Sequence, residues 1–220
     1  MNAENINDKS VYRKPEERVE FETPPRLSPE KAYFFEHKSS LKILEIGCSD
    51  IFIKKYFLSK GHEYVGFDLI SNSADFNGDM NFLPFADKTF NAVLFNSTLQ
   101  YSFNPNKTLK EINRVMTPNS FLTGSIAFLE PGIWKSLFHT TARGLFELLR
   151  YNNFNVRAIW PCWTVFEAIE IALQDDETMI EKTEILEYLA RIIETDGHKE
   201  LSENIHFAGG FNFYAEKLES

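Results

Sequence analysis

Two residues have types and spacing that could hold a nucleoside. Gly47 ends the short apolar segment "KILEIG", and Asp68, twenty-one residues later, ends "EYVGFD". A glycine after a strand permits a sharp turn and close approach of the backbone to a ligand, and the following helix aims its N-terminal amides at that ligand. An acid ending the next strand can accept hydrogen bonds from two ribose hydroxyls. The pattern predicts an adenosine ligand, either a dinucleotide or another adenosine derivative.

Alternating strands and helices must position these two residues. Short apolar segments predict strands, and apolar residues at helical spacing predict helices. Strands are predicted at 42–47, 63–68, 90–96, 120–128, 155–160 and 209–217, and helices at 51–61, 104–116 and 141–153. This alternation predicts an α/β protein with a doubly wound, mostly parallel sheet and helices on both faces. In such sheets, ligands bind beyond the carboxyl ends of the strands.

Composition narrows the classes of partner. The 220 residues carry a formal net charge of -9 and are 43% hydrophobic, enough for a core. An acidic chain does not suit electrostatic binding of nucleic acid or of an anionic membrane. Cys48 and Cys162 are too few for a disulfide framework, and their spacing does not match a zinc site. With no apolar leader or membrane-length run, the sequence predicts a soluble cytoplasmic protein without metal, nucleic-acid partner or membrane partner.

The chain divides into four predicted parts. They are an N-terminal arm and helix at 1–40, a core at 41–160, an acidic helical insert at 161–208 and a final core strand at 209–220. The helix of the arm is predicted from Ser28, which can cap it, and two helices are predicted within the insert. We expect the arm and the insert to form a lid over the active site; the alternatives are that they mediate a homodimer or cover a sheet edge.

A longer segment, 77–122, carries a family resemblance. "GDMNFLPFADKTFNAV" and "LKEINRVMTPNSFL" are similar to the "LPF-D-SFD-V" and "L-E-RVLKPGG-L" motifs of the class I S-adenosylmethionine-dependent methyltransferases. "LEIGCSD" and "EYVGFDL" resemble the first strand, loop and ribose acid of that family. The resemblance covers 41–128 and is closest to the small-molecule branch, methyltransferase type 11, typified by quinone-biosynthesis enzymes. It implies a Rossmann-like sheet of seven strands, with S-adenosylmethionine as cofactor and S-adenosylhomocysteine as product.

The resemblance also implies roles around the first loop. Glu45 would lie under the loop and help to hold the methionine amino group through water. Gly47, Cys48 and Ser49 would wrap the methionine part of the cofactor. Ser49 and Ile51 stand where the family has its second and third glycines.

Further cofactor contacts are implied at the ends of the next strands. Asp68, followed by Leu69, would bind the ribose hydroxyls. Asp79 would accept from the adenine amino group, with the Met80 backbone beside the ring. Two residues at the end of strand 90–96 would lie near the sulfonium: Asn96 and Ser97.

Two further departures from the family pattern lie outside the loop. Asn91 replaces the acid of "SFD", and "TPNS" replaces "KPGG". Asn tolerates left-handed backbone geometry, so we expect the second of these turns to persist.

Methyl transfer from a sulfonium is an in-line displacement, for which an enzyme aligns the reacting atoms and excludes water. A base is needed only where the acceptor must lose a proton. His139 and Tyr101 are candidates for positioning or proton transfer, as residues that follow strand ends. Further residues are candidates for contact with the substrate: Gln100, Tyr101, Trp134 and Trp163, with Trp160 beside the start of the insert.

Other functions remain open from the residues alone. The leading hypothesis is a methyltransferase acting on oxygen, nitrogen or carbon of a small molecule. A catalytically inactive, methyltransferase-like binding or regulatory protein is the alternative, supported by Ser49, Ile51 and Asn91. A nicotinamide enzyme is disfavoured because G-x-G-x-x-G is absent, and a nucleic-acid methyltransferase because the chain is acidic and reads "NSTL" after strand 90–96.

Overall fold

A computed structural model of the chain describes residues 39–48, 51–129, 135–165, 167–168 and 208–218. At positions 51 and 52 it describes the backbone alone. The predicted N-terminal helix, the predicted helices of the insert, Ser49 and Trp134 lie outside the described residues.

Strands and helices alternate along the described core. The strands are β1 Lys42–Ile46, β2 Glu63–Asp68, β3 Phe76–Asn77, β4 Phe90–Asn96, β5 Met116–Ala127, β6 Phe154–Thr164 and β7 Ala208–Lys217. The helices are α1 Ile51–Ser59, α2 Pro105–Val115 and α3 Ala142–Tyr151, with a short 3₁₀ turn at Leu99–Tyr101. No helix within the described ranges is long and apolar enough to cross a membrane.

The strands form one sheet in the order β3-β2-β1-β4-β5-β7-β6. Strands β1 to β5 pair in parallel, whereas β7 runs antiparallel to both β5 and β6. The predicted fold class, a doubly wound and mostly parallel sheet of seven strands, is confirmed. The carboxyl ends of β1, β2 and β4 therefore meet at one edge of the sheet, which we call the carboxyl edge.

Some strand limits differ from those predicted. Strand β3 has two exposed residues and hence no hydrophobic pattern that could reveal it. Strand β5 begins at Met116 rather than 120, and Asn119 within it has a φ of 57°, which confirms left-handed geometry in "TPNS". Strand β6 continues to Thr164, so 161–164 lie in the sheet.

The hydrophobic core lies on both faces of the sheet. Leu44 and Ile46 of β1 pack in a cluster that includes buried residues of α2 and α3. Leu41 and Ile43 belong to a smaller cluster with Phe57 of α1. Because successive side chains of a strand point to opposite faces, β1 is covered on both sides. Full burial of each such side chain contributes about 1.5–3 kcal/mol.

Helix α2 anchors the loop that precedes β4. Asn104 caps it by accepting from Lys107 N at 3.1 Å, and Pro105 occupies its first turn. Near its other end, the Arg114 guanidinium donates to the carbonyls of Leu83 and Phe85 at 2.9 and 2.7 Å. These bonds fasten the loop before β4 to the helix.

Candidate functional site

A cavity of about 480 Å³ opens at the carboxyl edge. Its volume lies in the usual range for small-molecule sites. Six of the residues predicted from the sequence line it: Gly47, Asp68, Leu69, Asp79, Met80 and Tyr101. The sheet thus brings together residues that come from four separate stretches of the chain.

The turn at Gly47 is closed on one side by Thr98. Gly47 has a φ of 81°, and its N–H donates to the Phe67 carbonyl at 2.8 Å. A Cβ at this position would lie 2.7 Å from Thr98 Cγ2 and closer still to its Oγ1. Thr98 Oγ1 donates to the Asn96 carbonyl at 2.6 Å, so the threonine cannot turn away without losing that bond. Thr98 lines the cavity, and no sequence motif predicts its contact with Gly47.

Asp68 presents part of its carboxylate to the cavity. Its Oδ1 accepts from the backbone N–H groups of Ile70 and Ser71, both at 2.9 Å. Among the described residues, Oδ2 has no such partner, and it remains available for a ligand hydroxyl. Leu69 and Ile70, 65% and 83% exposed, add apolar surface beside the acid at the cavity.

Asp79 is held in a similar way, by the backbone and the side chain of a single residue. Its Oδ1 accepts from both the N–H and the Nδ2 of Asn81, each at 2.8 Å. Asn81 is only 4% exposed, and its Oδ1 faces the hydroxyls of Ser102 and Thr108 at 3.4 and 3.3 Å. Asn81 was not predicted from the sequence, because an asparagine in a loop gives no signal of such contacts.

Glu45 and Cys48 lie beneath the loop and are not among the cavity-lining residues. Glu45 is buried, and its Oε2 accepts from the Tyr64 hydroxyl at 2.6 Å. Burial raises the pKa of the Tyr64 phenol, and the nearby Glu45 carboxylate raises it further. Burial also raises the pKa of the Cys48 thiol to about 11, with Glu45 and Asp68 adding to the effect. The thiol is therefore protonated, and it is not a nucleophile at neutral pH.

Asn96 and Ser97 end β4 near the cavity without lining it. Ser97 has a φ of 44°, and its N–H donates to the Ser125 carbonyl at 2.9 Å. Its Oγ lies 3.0 Å from Ser125 Oγ. Both residues join β4 to β5 and fix the turn that carries Thr98.

A further wall of the cavity is built by Tyr101, Phe103, Lys135 and Leu137. Tyr101 was predicted, whereas the other three were not, because they sit in loops without periodicity. The buried Gln100 lies behind this wall, and its carbonyl accepts from Leu137 N at 2.7 Å. Gln100 therefore positions the wall by its backbone.

The structure places the remaining candidates away from the cavity lining. His139 is exposed, with Nε2 2.9 Å from Ser136 Oγ. Trp163 packs on β7, where a Cβ at Gly209 or Gly210 would lie 2.5 Å from its ring. Trp160 is buried in the sheet.

Asn91, which departs from the family pattern, lies at the far edge of the sheet. Its Oδ1 accepts from Lys42 N at 2.8 Å, at the start of β1. A carboxylate oxygen would accept the same bond, so asparagine keeps this structural contact.

Comparisons with known proteins agree with this arrangement. Residues 44–123 match the family model described as a methyltransferase domain. Among curated proteins, none matches the chain in sequence.

Many solved structures share the fold, including the three that follow. An S-adenosylmethionine-dependent methyltransferase from Methanosarcina mazei is 17% identical, with a TM-score of 0.54 over 88% of this chain and 99% of that one. The protein solved in complex with the Haloferax volcanii methyltransferase activator Trm112 is 15% identical, with a TM-score of 0.56 over 87% and 89%. The [4+2]-cyclase SpnF is 17% identical, with a TM-score of 0.54 over 82% and 76%.

At these identities, the structural matches establish the fold alone, and they do not single out the quinone-biosynthesis branch. The family match covers the loop, both acids and the strands that carry them. Residues 44–123 match the model of a methyltransferase domain, and the chain shares its fold with solved S-adenosylmethionine-dependent methyltransferases.

Proposed function

We propose that the protein is an S-adenosylmethionine-dependent methyltransferase that acts on a small-molecule acceptor in the cytoplasm. The observation that carries the proposal is the cavity at the carboxyl edge, where Gly47, Asp68 and Asp79 meet. The methyltransferase domain match over the same segment supports it.

The residues present fit the cofactor. At Gly47, any side chain would collide with Thr98, so the glycine keeps the cavity open at the turn. Asp68 and Asp79 each have one oxygen engaged within the protein and the other available among the described residues. Asp68 would hold the ribose hydroxyls, and Asp79 would accept from the adenine amino group. Met80 would contact the ring.

When bound, S-adenosylmethionine supplies an electrophilic methyl group on a sulfonium. The chain aligns the acceptor and excludes water, which together account for much of the catalysis in such transfers. Phe103 and Leu137 form apolar wall on the acceptor side, while Tyr101 and Lys135 add groups that can hydrogen-bond an acceptor. The acidic chain further favours a small acceptor over a polyanion.

Titration calorimetry with S-adenosylmethionine and S-adenosylhomocysteine tests the proposal. We expect Asp68→Ala to weaken both ligands by roughly 100-fold or more, because two charge-assisted hydrogen bonds are lost. Asp87→Ala is the matched control, since Asp87 is an exposed loop acid that pairs with Arg114 outside the cavity. This variant should bind like the wild type.

The same experiment separates the enzyme from a binding protein. Micromolar binding, followed by transfer of a labelled methyl group to a compound in a metabolite library, supports the proposal. Folded wild type that fails to bind at millimolar ligand overturns it. Binding without transfer to any acceptor would favour the catalytically inactive alternative. The [4+2]-cyclase SpnF shows that this fold also occurs in a protein named for a different reaction.

A further inference from the structure

Asn81 has a buried side chain that lies between two walls of the cavity. The proposed function assigns it no role. Its N–H and Nδ2 both donate to one oxygen, Asp79 Oδ1, at 2.8 Å. Its Oδ1 lies 3.4 Å from Ser102 Oγ and 3.3 Å from Thr108 Oγ1. Ser102 stands between Tyr101 and Phe103, which line another wall of the cavity. Asn81 therefore links the loop of Asp79 to the opposite wall.

The chemistry of these contacts fixes the orientation of the Asn81 amide. Turning the amide over would set its oxygen 2.8 Å from the Asp79 carboxylate, so that two acceptors would face each other. The Ser102 and Thr108 hydroxyls lie 2.7 Å apart, and at least one of them can always donate to Asn81 Oδ1. With Asn81, Ser102 and Thr108 all buried, water does not readily replace these partners.

The fixed amide in turn fixes the Asp79 carboxylate. Two donors occupy Oδ1, so that among the described residues Oδ2 is left to meet a ligand at the cavity. A carboxylate oxygen only accepts hydrogen bonds. It favours a purine with an amino group at position 6 and disfavours one with an oxygen there, because two acceptors that face each other cannot form a hydrogen bond.

We propose that Asn81 is a positioning residue that holds the Asp79 carboxylate so that the site selects a 6-aminopurine over a 6-oxopurine. The inference rests on the proposed function and deepens it, since it assigns the base selectivity of the cofactor site to a residue that the family motif leaves unspecified. Without the Nδ2 donor, only the Asn81 N–H holds Oδ1, so the carboxylate can rotate about that single bond and the discrimination falls even though Asp79 is still present.

The test compares S-adenosylhomocysteine with the analogue in which hypoxanthine replaces adenine. Calorimetry on the full chain gives the ratio of the two dissociation constants. For the wild type we expect a ratio of roughly tenfold or more, equivalent to one charge-assisted hydrogen bond. Asn81→Leu, which has similar volume and no side-chain donor, should reduce the ratio to about threefold or less. Asp79→Ala should abolish it, with no further change when both substitutions are combined.

Thr108→Val is the matched control. It removes one buried hydroxyl from the same network but leaves both bonds from Asn81 to Asp79, so the ratio should stay at the wild-type value. If Asn81→Leu does not fold, Asn81→Ser tests the same ratio. The serine side chain is too short to contact both Asp79 and Thr108 of helix α2, so the ratio should again fall.

The outcomes separate this inference from the proposed function. A folded Asn81 variant that weakens both ligands equally, with an unchanged ratio, overturns the positioning role and leaves the methyltransferase proposal standing. Wild type that binds neither ligand overturns the proposed function, and the inference falls with it. A reduced ratio in Asn81→Leu and an unchanged ratio in Thr108→Val support the inference.

Discussion

Two glycine turns bracket helix α1, and they share one backbone conformation but differ in their surroundings. Gly47 precedes the helix and Gly61 follows it, and both have a φ of 81°. A Cβ at Gly61 would meet nothing within 4 Å, whereas a Cβ at Gly47 would collide with Thr98. The turn at Gly61 only ends a helix. The turn at Gly47 borders the cavity, and it is packed against Thr98, which is distant in sequence.

The two edges of the sheet differ in the same sense. At the edge opposite the cavity, Lys217 donates to the carbonyls of Asn113 and Met116, each at 2.8 Å. Lys217 thus finds its partners within the protein. At the carboxyl edge, Asp68 and Asp79 keep one carboxylate oxygen each that no described residue engages. Polar groups that the fold holds in place, but whose hydrogen-bonding capacity it leaves partly unused, mark the carboxyl edge as the binding site.

The largest expected effect comes from replacing the two glycines by alanine. Both variants place alanine at left-handed φ, which costs about 1–2 kcal/mol of stability. Gly47→Ala must also displace Thr98, and we expect it to weaken S-adenosylhomocysteine binding by roughly 100-fold, as for an ångström-scale displacement in a site. Gly61→Ala should bind normally. Thermal unfolding and calorimetry measure both quantities.

A second substitution sharpens this test. If the collision with Thr98 is the cause, Thr98→Ala should restore part of the binding lost in Gly47→Ala. Equal losses of binding in Gly47→Ala and Gly61→Ala would contradict the distinction between the two turns.

The site residues that were predicted from the sequence lie where the local sequence pattern determines their place in the sheet. Gly47, Asp68 and Asp79 follow strands or stand in a recognisable motif, and a parallel sheet gathers strand ends at one edge. The alternation of strands and helices likewise predicted the sheet, apart from the two-residue β3.

The residues that sequence reasoning missed act through tertiary contacts. Thr98 matters because it meets Gly47, and Asn81 because it meets Asp79 on one side and α2 on the other. Neither pairing leaves a periodic signal. Conversely, Trp163 follows the predicted strand 155–160 but lies within β6 and packs on Gly209 and Gly210 of β7, which leave room for its ring.

The second expected effect concerns stability of the loop at high pH. Burial raises the pKa of Cys48 from 9.0 to about 11, so the folded state keeps the thiol proton over a range in which the unfolded state has lost it. This contribution is complete below pH 9 and disappears as pH rises through 11, amounting to about 2–3 kcal/mol. Serine does not titrate there. The stability advantage of wild type over Cys48→Ser, from urea unfolding, should therefore shrink by that amount between pH 8 and 11. A constant difference would show that Cys48 is not the group responsible.

The third expected effect compares two helix caps at different distances from the cavity. Asn104 accepts from Lys107 N and Thr141 accepts from Gly144 N, both at 3.1 Å. Alanine at either cap should lower stability by about 1 kcal/mol. Because Asn104 follows the cavity residue Phe103, only Asn104→Ala should also weaken S-adenosylhomocysteine binding, by about threefold. Weakened binding in Thr141→Ala would mean that loss of helix stability alone disturbs the cavity.

The smallest expected effect is at His139, which shows that lying near the carboxyl edge is not sufficient for a role in the site. Thr140, its neighbour, donates to the Ala127 carbonyl at the end of β5, yet His139 is exposed, contacts Ser136 and does not line the cavity. We expect His139→Ala to change stability by less than about 0.5 kcal/mol, as for other exposed positions, and methyl transfer by less than about twofold. Tyr101→Phe, within the cavity, should reduce transfer more strongly. A loss of about 100-fold in His139→Ala, with disappearance of the acidic limb of the pH–rate profile, would instead identify His139 as a general base.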